Sequence, residues 1–349
     1  MFRQATGVDI TAVATDKISI TLDELIGRYE LANRADGKSE KTVNWYGDML
    51  KSFLGHMEGK QSCPNLSCFN IEAARGYMLY LRGKPKFAGH PYTPEQNKLL
   101  SPKTVQCHVR ALKAFSSWLH LDGYTSENRL KNLKLPKAPA TIVEPLTPEE
   151  TRVVIDSINE NSPTGFRNHV ILLTVLDTGL RVSEAAGIQL GHVNLDGGYI
   201  KVMGKGAKER IVPVGNVVKK ALWRYISGAR PEPVTNDCDN LFLSRAGQPI
   251  TVNTVKLVFS RLAKASGIIR LHAHLCRHTF AINYLLNGGD IFTLQAILGH
   301  STLEMVRHYL HFTSAQVTAL HHKYSPMDKL HAKEEEASTE SLVATVAAE

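Results

Sequence analysis

The sequence predicts a mainly α-helical protein of two domains, with one small antiparallel β-sheet inside the second domain. The chain has 349 residues, a length that favours two hydrophobic cores over one. Most of it shows apolar residues at helical spacing, behind residues that cap helix N-termini. Between residues 193 and 213 the pattern changes to short β-rich runs separated by glycines.

The first domain is predicted to hold four helices, each behind a residue that can accept a hydrogen bond from the first helical turn. These four N-caps are Thr21, Ser39, Asn70 and Ser101. The first helix is predicted to run to about Asn33, and the third to Leu81. The inner face of the fourth helix carries Val105, Val109, Leu112, Ser116 and Leu119. Residues 83–100, rich in Gly, Pro and Lys, predict an exposed loop.

Residues 129–145 predict a linker between the domains. This stretch contains three prolines, which favour an extended chain, and little that could be buried. It also carries Lys131, Lys134 and Lys137, which would follow a phosphate backbone if the partner is a nucleic acid. A solvated linker explains these lysines equally well, so both interpretations stay open.

The second domain begins with a capping signal at Thr147-Pro148-Glu149-Glu150. Two helical segments are predicted next, one to about Leu176 and one from Val182. Three short strands follow, at 193–195, 199–202 and 210–213, with glycine-containing turns between them. Helices resume from Val217, and three later N-caps are predicted at Thr251, Asp290 and Ser301.

The composition is that of an ordinary globular protein whose net positive charge lies in residues 1–326. Residues 327–349 hold six acidic residues and two lysines, so residues 1–326 carry 39 basic against 27 acidic residues. Such an excess suits a polyanionic partner without proving one. Five scattered cysteines favour a reducing compartment, and no apolar stretch predicts a signal peptide or a membrane span. We therefore expect a cytoplasmic protein that does not contact membranes.

One set of residues could transfer a phosphodiester without a metal or another cofactor. Such a reaction needs a nucleophile, cations that neutralise charge on the phosphate oxygens, and groups that move protons. Tyr309, predicted to lie on the helix that starts at Ser301, can supply the nucleophile. The other groups are Arg181, Lys205, His274, Arg277 and His300, with Glu184 placed to orient Arg181 or a neighbouring base.

Nearby residues also allow two other interpretations, a metal site and a contact with water. The alternating His272, His274, Cys276 and His278 suggest a metal site, but helical spacing spreads them around the axis, so we expect no metal. Lys208 and Arg210, close to Lys205, are equally suited to touch phosphate or water.

The order of these residues resembles the motif series of the tyrosine recombinases, the phage integrase family that includes the Xer recombinases. The resemblance covers roughly residues 144–326, and residues 19–128 resemble the helical core-binding domain of the family more loosely. The motifs are Thr178-Gly179-Leu180-Arg181-Val182-Ser183-Glu184, the run 204–210, His274-x-x-Arg277-His278, Leu298-Gly299-His300 and Tyr309. It implies a two-domain clamp with an N-terminal extension (1–18), a core-binding domain (19–128), a linker (129–145), a catalytic domain (146–326) and an acidic tail (327–349).

The resemblance also implies a role for each matching residue. Tyr309 would form a 3′-phosphotyrosine, and Arg181 and Arg277 would hold the scissile phosphate. Lys205 would protonate the leaving 5′ oxygen, and His274 would act in proton transfer at the nucleophile. His300 would hydrogen-bond the phosphate, while Glu184 would support this shell.

The implied partners are double-stranded DNA recombination sites, bound by a homo-tetramer that is a monomer or dimer when free. Accessory DNA-bending or directionality proteins could take part. We expect the integrase or transposase of a mobile element. The alternatives are an Xer-type recombinase that resolves chromosome or plasmid dimers, a non-catalytic DNA-binding accessory factor of the same fold and, less favoured, a related topoisomerase.

Overall fold

The chain divides into two compact units, Met1–Thr141 and Ile142–Glu349. The computed structural model describes residues 20–59, 64–89, 92–139, 143–204, 209–307, 309, 321 and 324–328. The boundary between the units falls inside the segment predicted as a linker. The first unit is mainly helical with a two-stranded sheet, and the second combines helices with a three-stranded sheet. The predicted fold class, mainly α with a small antiparallel sheet, is confirmed.

Four α-helices build the first unit, as predicted. They are α1 (Leu22–Ala35), α2 (Glu40–Glu58), α3 (Ile71–Gly83) and α4 (Pro102–Leu121). The predicted N-caps Thr21, Ser39, Asn70 and Ser101 each accept a backbone N–H three residues on. A short 3-10 helix, Leu66–Cys68, precedes α3.

Aromatic rings fill the core between these helices. The ring of Tyr29 meets that of Phe115 edge-on, with centroids 5.4 Å apart, and Phe53 meets Tyr77 at 5.2 Å. Edge-to-face pairs of this kind are favourable beyond the area that they bury. The predicted inner face of α4 is confirmed, since all five of its residues are buried.

Two short strands pair within the segment 83–100, where the sequence predicted only an exposed loop. Strands β1 (Pro85–Lys86) and β2 (Gln96–Leu99) pair antiparallel, with an irregular register between Pro85 and Lys86. All four residues of β2 are exposed. Because neither face of this pair of strands is buried, its sequence shows no alternation of apolar and polar residues, which is the usual signal of a strand.

Residues 130–136 pack on the first unit, which corrects the prediction that the linker buries little. Leu130 and Leu133 are 0% and 4% exposed, and Pro136 is buried. The ammonium of Lys113 donates to the carbonyl oxygens of Leu130, Lys131 and Leu133. The chain turns at residues 129–132, where the Leu133 N–H bonds the Leu130 carbonyl, and the intervening Lys131 and Lys134 are exposed.

The other end of the predicted linker is held by the second unit. The guanidinium of Arg270 donates to the carbonyl oxygens of Glu144 and Pro145, and His278 donates to that of Val143. Leu146 is buried. Among the described residues, the segment 129–145 is therefore packed at both ends.

Two helices occupy the stretch predicted as one helical segment before Leu176. Helix α5 (Pro148–Asp156) starts at the predicted capping box of Thr147, and α6 covers Pro163–Thr178. The sequence does contain a signal for this break between the helices, because Ser162 caps α6 and Pro163 takes its first position. A short helix α7 (Val182–Ala186) and a 3-10 helix (Leu190–His192) lead into the sheet.

The predicted three-stranded antiparallel sheet is present, with the order β3-β4-β5. Its strands are β3 (Val193–Asn194), β4 (Tyr199–Met203) and β5 (Glu209–Pro213). Met203 pairs with Glu209, so the two long strands are still in register where they reach residues 204–209. Ile200, Val202 and Val212 turn into the core of the second unit.

The remaining helices surround that core. They are α8 (Asn216–Arg224) continued by a π-helix (Tyr225–Ala229), α9 (Val252–Ala265), α10 (Ala273–Leu286), α11 (Ile291–Leu298) and α12 (Glu304–Arg307). Thr251 and Asp290 cap α9 and α11, as predicted. Ser301 caps no helix, because α12 begins three residues later. Tyr309 lies in a turn after α12, its N–H bonded to the Val306 carbonyl, and not on a helix begun at Ser301.

Among the described residues, no helix combines the length and apolar character needed to cross a lipid bilayer.

Phe115→Ala is expected to destabilise the first unit by about 3–5 kcal/mol, because it removes a ring at the centre of the aromatic core. Leu121→Ala on the same helix is the matched control: its side chain is 79% exposed, so the change should stay within about 0.5 kcal/mol. Urea unfolding followed by circular dichroism measures both. Equal losses would show that the ring packs less tightly than the structure indicates.

Candidate active site

A left-handed turn between α6 and α7 places Arg181. Gly179 has φ +63°, and a Cβ there would lie 2.6 Å from the ring of Phe280 and 2.8 Å from a methyl of Leu298. Only glycine satisfies both the dihedral angle and the close packing. The turn therefore packs against both α10 and α11. Arg181 follows the turn as the N-cap of α7.

Glu184 lies between two arginines. Its Oε1 accepts from Arg181 Nη1 at 2.8 Å and from Arg210 Nη1 at 2.9 Å, and its Oε2 accepts from Arg210 Nη2 and the Arg181 N–H, both at 2.9 Å. Burial raises the pKa of Glu184, but the hydrogen bonds from both arginines and the charge of Arg210 outweigh it, so the pKa lies below its usual range. The Glu184 carboxylate is therefore ionised, and it orients Arg181 as the sequence predicts.

Arg181 and Arg277 are exposed to very different degrees. The side chain of Arg181 keeps 36% of its surface exposed, whereas Arg277 is only 2% exposed. Arg277 donates to the carbonyl oxygens of Gly179 at 2.6 Å and Leu298 at 2.9 Å, and to His300 Nε2 at 2.8 Å. Burial, then the nearby charge of Arg181, lowers its pKa to about 10, which still leaves it charged at neutral pH.

His300 is held as a neutral acceptor. Arginine has no acceptor atom, so His300 Nε2 must accept from Arg277 and the ring proton must sit on Nδ1. That Nδ1 is buried and has no hydrogen-bond partner among the described residues. Burial, followed by the charges of Arg277, Arg181 and Arg210, lowers the pKa of His300 to about 4. Gly299, with φ +62°, ends α11 and turns the chain into this position.

Tyr309 packs against the histidines of this cluster. Its ring is 7% exposed and stacks on that of His300, with centroids 6.0 Å apart and planes at 12°. The ring of His278 lies at 5.3 Å. Tyr309 also raises the pKa of Arg277 through charge and a hydrogen bond, although burial keeps that pKa lowered. The fold thus brings the predicted nucleophile to Arg277 and His300.

His274 is neutral at physiological pH. It lies on α10 one turn before Arg277, with an exposed side chain. Partial desolvation, then the charges of Arg277, His272, His278 and Arg181, lowers its pKa. A neutral imidazole can accept a proton, which is the state that a general base requires.

Two of the predicted residues are not described, and three others lie on the first unit. Lys205 and Lys208 lie outside the described residues. Lys131, Lys134 and Lys137 are exposed on the outer side of the packed segment in the first unit. Within the described part of the chain, no three His, Cys, Asp or Glu side chains are placed to hold a metal ion. Cys276 faces the core of the second unit.

Arg210 is the residue whose position the sequence interpretation missed. Besides its two bonds to Glu184, its Nε donates to the Ile297 carbonyl at 2.8 Å, and its side chain is only 12% exposed. The contact with phosphate or water stays a prediction, and in the structure the guanidinium binds Glu184 and the Ile297 carbonyl. A signal was present, because alternation along β5 puts Arg210 on the same face as the buried Val212.

Comparison with known proteins identifies the family. The phage integrase family model matches residues 144–316. The tyrosine recombinase XerC of Staphylococcus saprophyticus is 30% identical over 292 residues, which cover 83% of this chain and 93% of that protein. The chain belongs to the phage integrase family of tyrosine recombinases. XerD of Listeria innocua is 27% identical over 83% of this chain and 94% of its own. The family predicted from the motifs is confirmed, and this tyrosine recombinase is an enzyme.

Solved structures share the fold. The Tn1549 transposon integrase in complex with a circular intermediate DNA matches 87% of this tyrosine recombinase and 99% of its own chain, with a TM-score of 0.66 and 21% identity. The XerH site-specific recombinase matches 85% and 82%, with a TM-score of 0.64 and 21% identity.

Acid is expected to destabilise the second unit through His300. The pKa of His300 is about 4 in the folded protein and about 6.5 when unfolded, so below pH 6.5 the unfolded chain binds the proton first. The stability from neutral His300 is complete above pH 6.5 and is lost as pH falls towards 4. Between pH 7.5 and 5 the loss is about 2 kcal/mol. Urea unfolding at both pH values should show it for the wild type, and His300→Gln should lack this component. Identical losses in both proteins would contradict the buried neutral ring.

Proposed function

We propose that this recombinase cleaves and rejoins double-stranded DNA at specific sites through a 3′-phosphotyrosine formed by Tyr309. The observation that carries the proposal is the convergence of a buried phenol, a buried arginine and a neutral histidine at one point, beside the exposed charge of Arg181. A phenol that only packed in a core would not need these three partners.

The phosphate is proposed to bind where Arg181 exposes its guanidinium, beside His300. Three arginines and one glutamate occupy the described part of this site, so it carries excess positive charge that suits an anion. The buried Nδ1–H of His300, which has no partner among the described residues, supports the same conclusion. A buried donor without a partner costs about 1–3 kcal/mol, which a phosphate oxygen would recover by accepting from it.

The chemical step then needs two proton transfers. The Tyr309 oxygen bonds to phosphorus while the bond from phosphorus to the 5′ oxygen breaks. His274 takes the proton of the phenol, since its lowered pKa favours the neutral imidazole that can accept one. Lys205 gives a proton to the departing 5′ oxygen. Since the phosphotyrosine conserves the energy of the broken ester, we propose that rejoining reverses these transfers without ATP or a metal.

The biological role of the recombinase is proposed from its relatives and its exposed charges. We propose an integrase or transposase of a mobile element, working in the cytoplasm as a tetramer on two DNA partners with accessory proteins. The exposed Lys131, Lys134 and Lys137 are proposed to follow the DNA backbone. The second candidate, an Xer-type resolution of chromosome or plasmid dimers, is favoured by the XerC and XerD relatives.

Tyr309→Phe is expected to keep DNA binding and to abolish the covalent complex, because the ring stays while its nucleophilic oxygen is gone. The substrate is a nicked suicide duplex carrying the site that the wild-type protein selects from a random duplex pool. Tyr324→Phe is the matched control, since this exposed tyrosine should leave adduct formation unchanged. A shifted band without an adduct in the wild type would identify a binding factor. An adduct that survives Tyr309→Phe would refute the nucleophile.

Lys205→Ala is expected to slow cleavage by roughly 10²–10⁴-fold, because the 5′ alkoxide then leaves without a proton. A duplex with sulfur in place of the bridging 5′ oxygen should restore the rate, since a thiolate departs unprotonated. Single-turnover adduct formation measures both duplexes. If the sulfur substrate gives no recovery, Lys205 is not the acid.

A further inference from the structure

Arg210 stands at the junction of three motifs of the site. It is the second residue of β5, next to the segment 205–208 that carries Lys205. Its guanidinium pairs with Glu184 on α7, and its Nε holds the carbonyl of Ile297 near the end of α11. Three elements that are distant in sequence are thus fixed by one planar side chain.

The pairing with Glu184 is the contact that reaches the reaction centre. Arg210 supplies two of the four hydrogen bonds that this carboxylate accepts, and Arg181 supplies the other two. The Glu184 side chain is only 4% exposed. A buried carboxylate that loses one of two cationic partners is pulled towards the other or becomes protonated. Either change displaces the Glu184 carboxylate or weakens its hydrogen bonds to Arg181.

The contact with α11 restricts Arg210 further. A Cβ at Gly299 would lie 3.0 Å from both Cδ and Nε of Arg210, so the guanidinium lies flat against this glycine. Arg181 Nη2 approaches the carbonyl of the same Gly299 at 3.5 Å. The two arginines therefore bracket the turn that leads into His300.

We infer that Arg210 is a positioning residue for cleavage: it holds Glu184 so that Arg181 faces the scissile phosphate, and its own charge is used inside the protein and not on DNA. The inference rests on the proposed function. A lysine at this position would keep the charge but could not make the two parallel bonds to Glu184.

The test compares adduct formation on two suicide duplexes. One carries the ordinary scissile phosphodiester, and the other carries a methylphosphonate there, which is uncharged and needs less help from Arg181. Arg210→Met is expected to slow cleavage of the ordinary duplex by about 100-fold, the typical effect of losing one stabilising donor. On the methylphosphonate duplex the loss should shrink to less than about 10-fold. Arg181→Met should show the same pattern, and Arg210→Lys should be intermediate.

A buried arginine outside the site gives the matched control. Arg167 is 7% exposed and donates to the Leu243 carbonyl and to Asn168. Arg167→Met should lower stability and change the rates on both duplexes alike. If Arg210→Met behaves in this way, its role is only structural and the inference falls. Arg210→Lys, which retains the charge, keeps the test decisive if Arg210→Met does not fold.

Salt dependence of DNA binding separates positioning from direct contact. The slope of log affinity against log salt should be the same for wild type and Arg210→Met. A slope reduced by about 0.9 would reveal a phosphate contact of Arg210 and overturn the inference.

Rescue of Arg210→Met by the sulfur-bridged duplex alone would also overturn it, because the residue would then act through Lys205. Failure of the wild type to form any adduct would instead refute the proposed function.

Discussion

The site depends on a buried arginine that has no carboxylate partner among the described residues. Arg277 donates hydrogen bonds to two carbonyl oxygens and one imidazole, which belong to the turn after α6 and the end of α11, and it also interacts with Tyr309. A buried guanidinium requires such acceptors, since its charge cannot be lost at neutral pH. Removing any one of them would leave charge unsatisfied in the core. The same interactions that bury Arg277 therefore also fix where Arg181, His300 and Tyr309 lie.

Charge balance explains the remaining arrangement. Glu184 is the carboxylate that pairs with the arginines here, and it neutralises Arg210 and orients Arg181 without cancelling the whole positive charge of the site. That charge keeps His274 and His300 neutral by lowering their pKa values, after the effect of burial. A cluster of cations thus maintains neutral histidines beside it. Binding a phosphate anion would relieve the mutual repulsion of the arginines, and such relief favours catalysis over simple packing.

The misplaced boundaries share a cause. The sequence interpretation looked for apolar residues at helical or strand spacing, and it missed elements that are stabilised differently. The β1–β2 pair has no buried face, and the segment 130–136 buries Leu130, Leu133 and Pro136 from a turn and an irregular stretch. Helix α12 begins at Glu304 and not after the predicted cap Ser301, and its Val306 belongs to a buried cluster with Leu294 and Leu298. These preferences arise from neighbours that are distant in sequence.

The fold class, the N-caps of seven helices and the candidates Arg181, Arg277, His300 and Tyr309 could be predicted from the sequence. Such features follow from local hydrogen-bonding capacity and from motif order. Three features could be seen only in the folded protein: Arg277 is buried while Arg181 is partly exposed, His300 carries its proton on Nδ1, and Arg210 faces Glu184. Burial and protonation depend on which atoms surround a side chain, and those atoms come from α7, α10, α11 and β5 together.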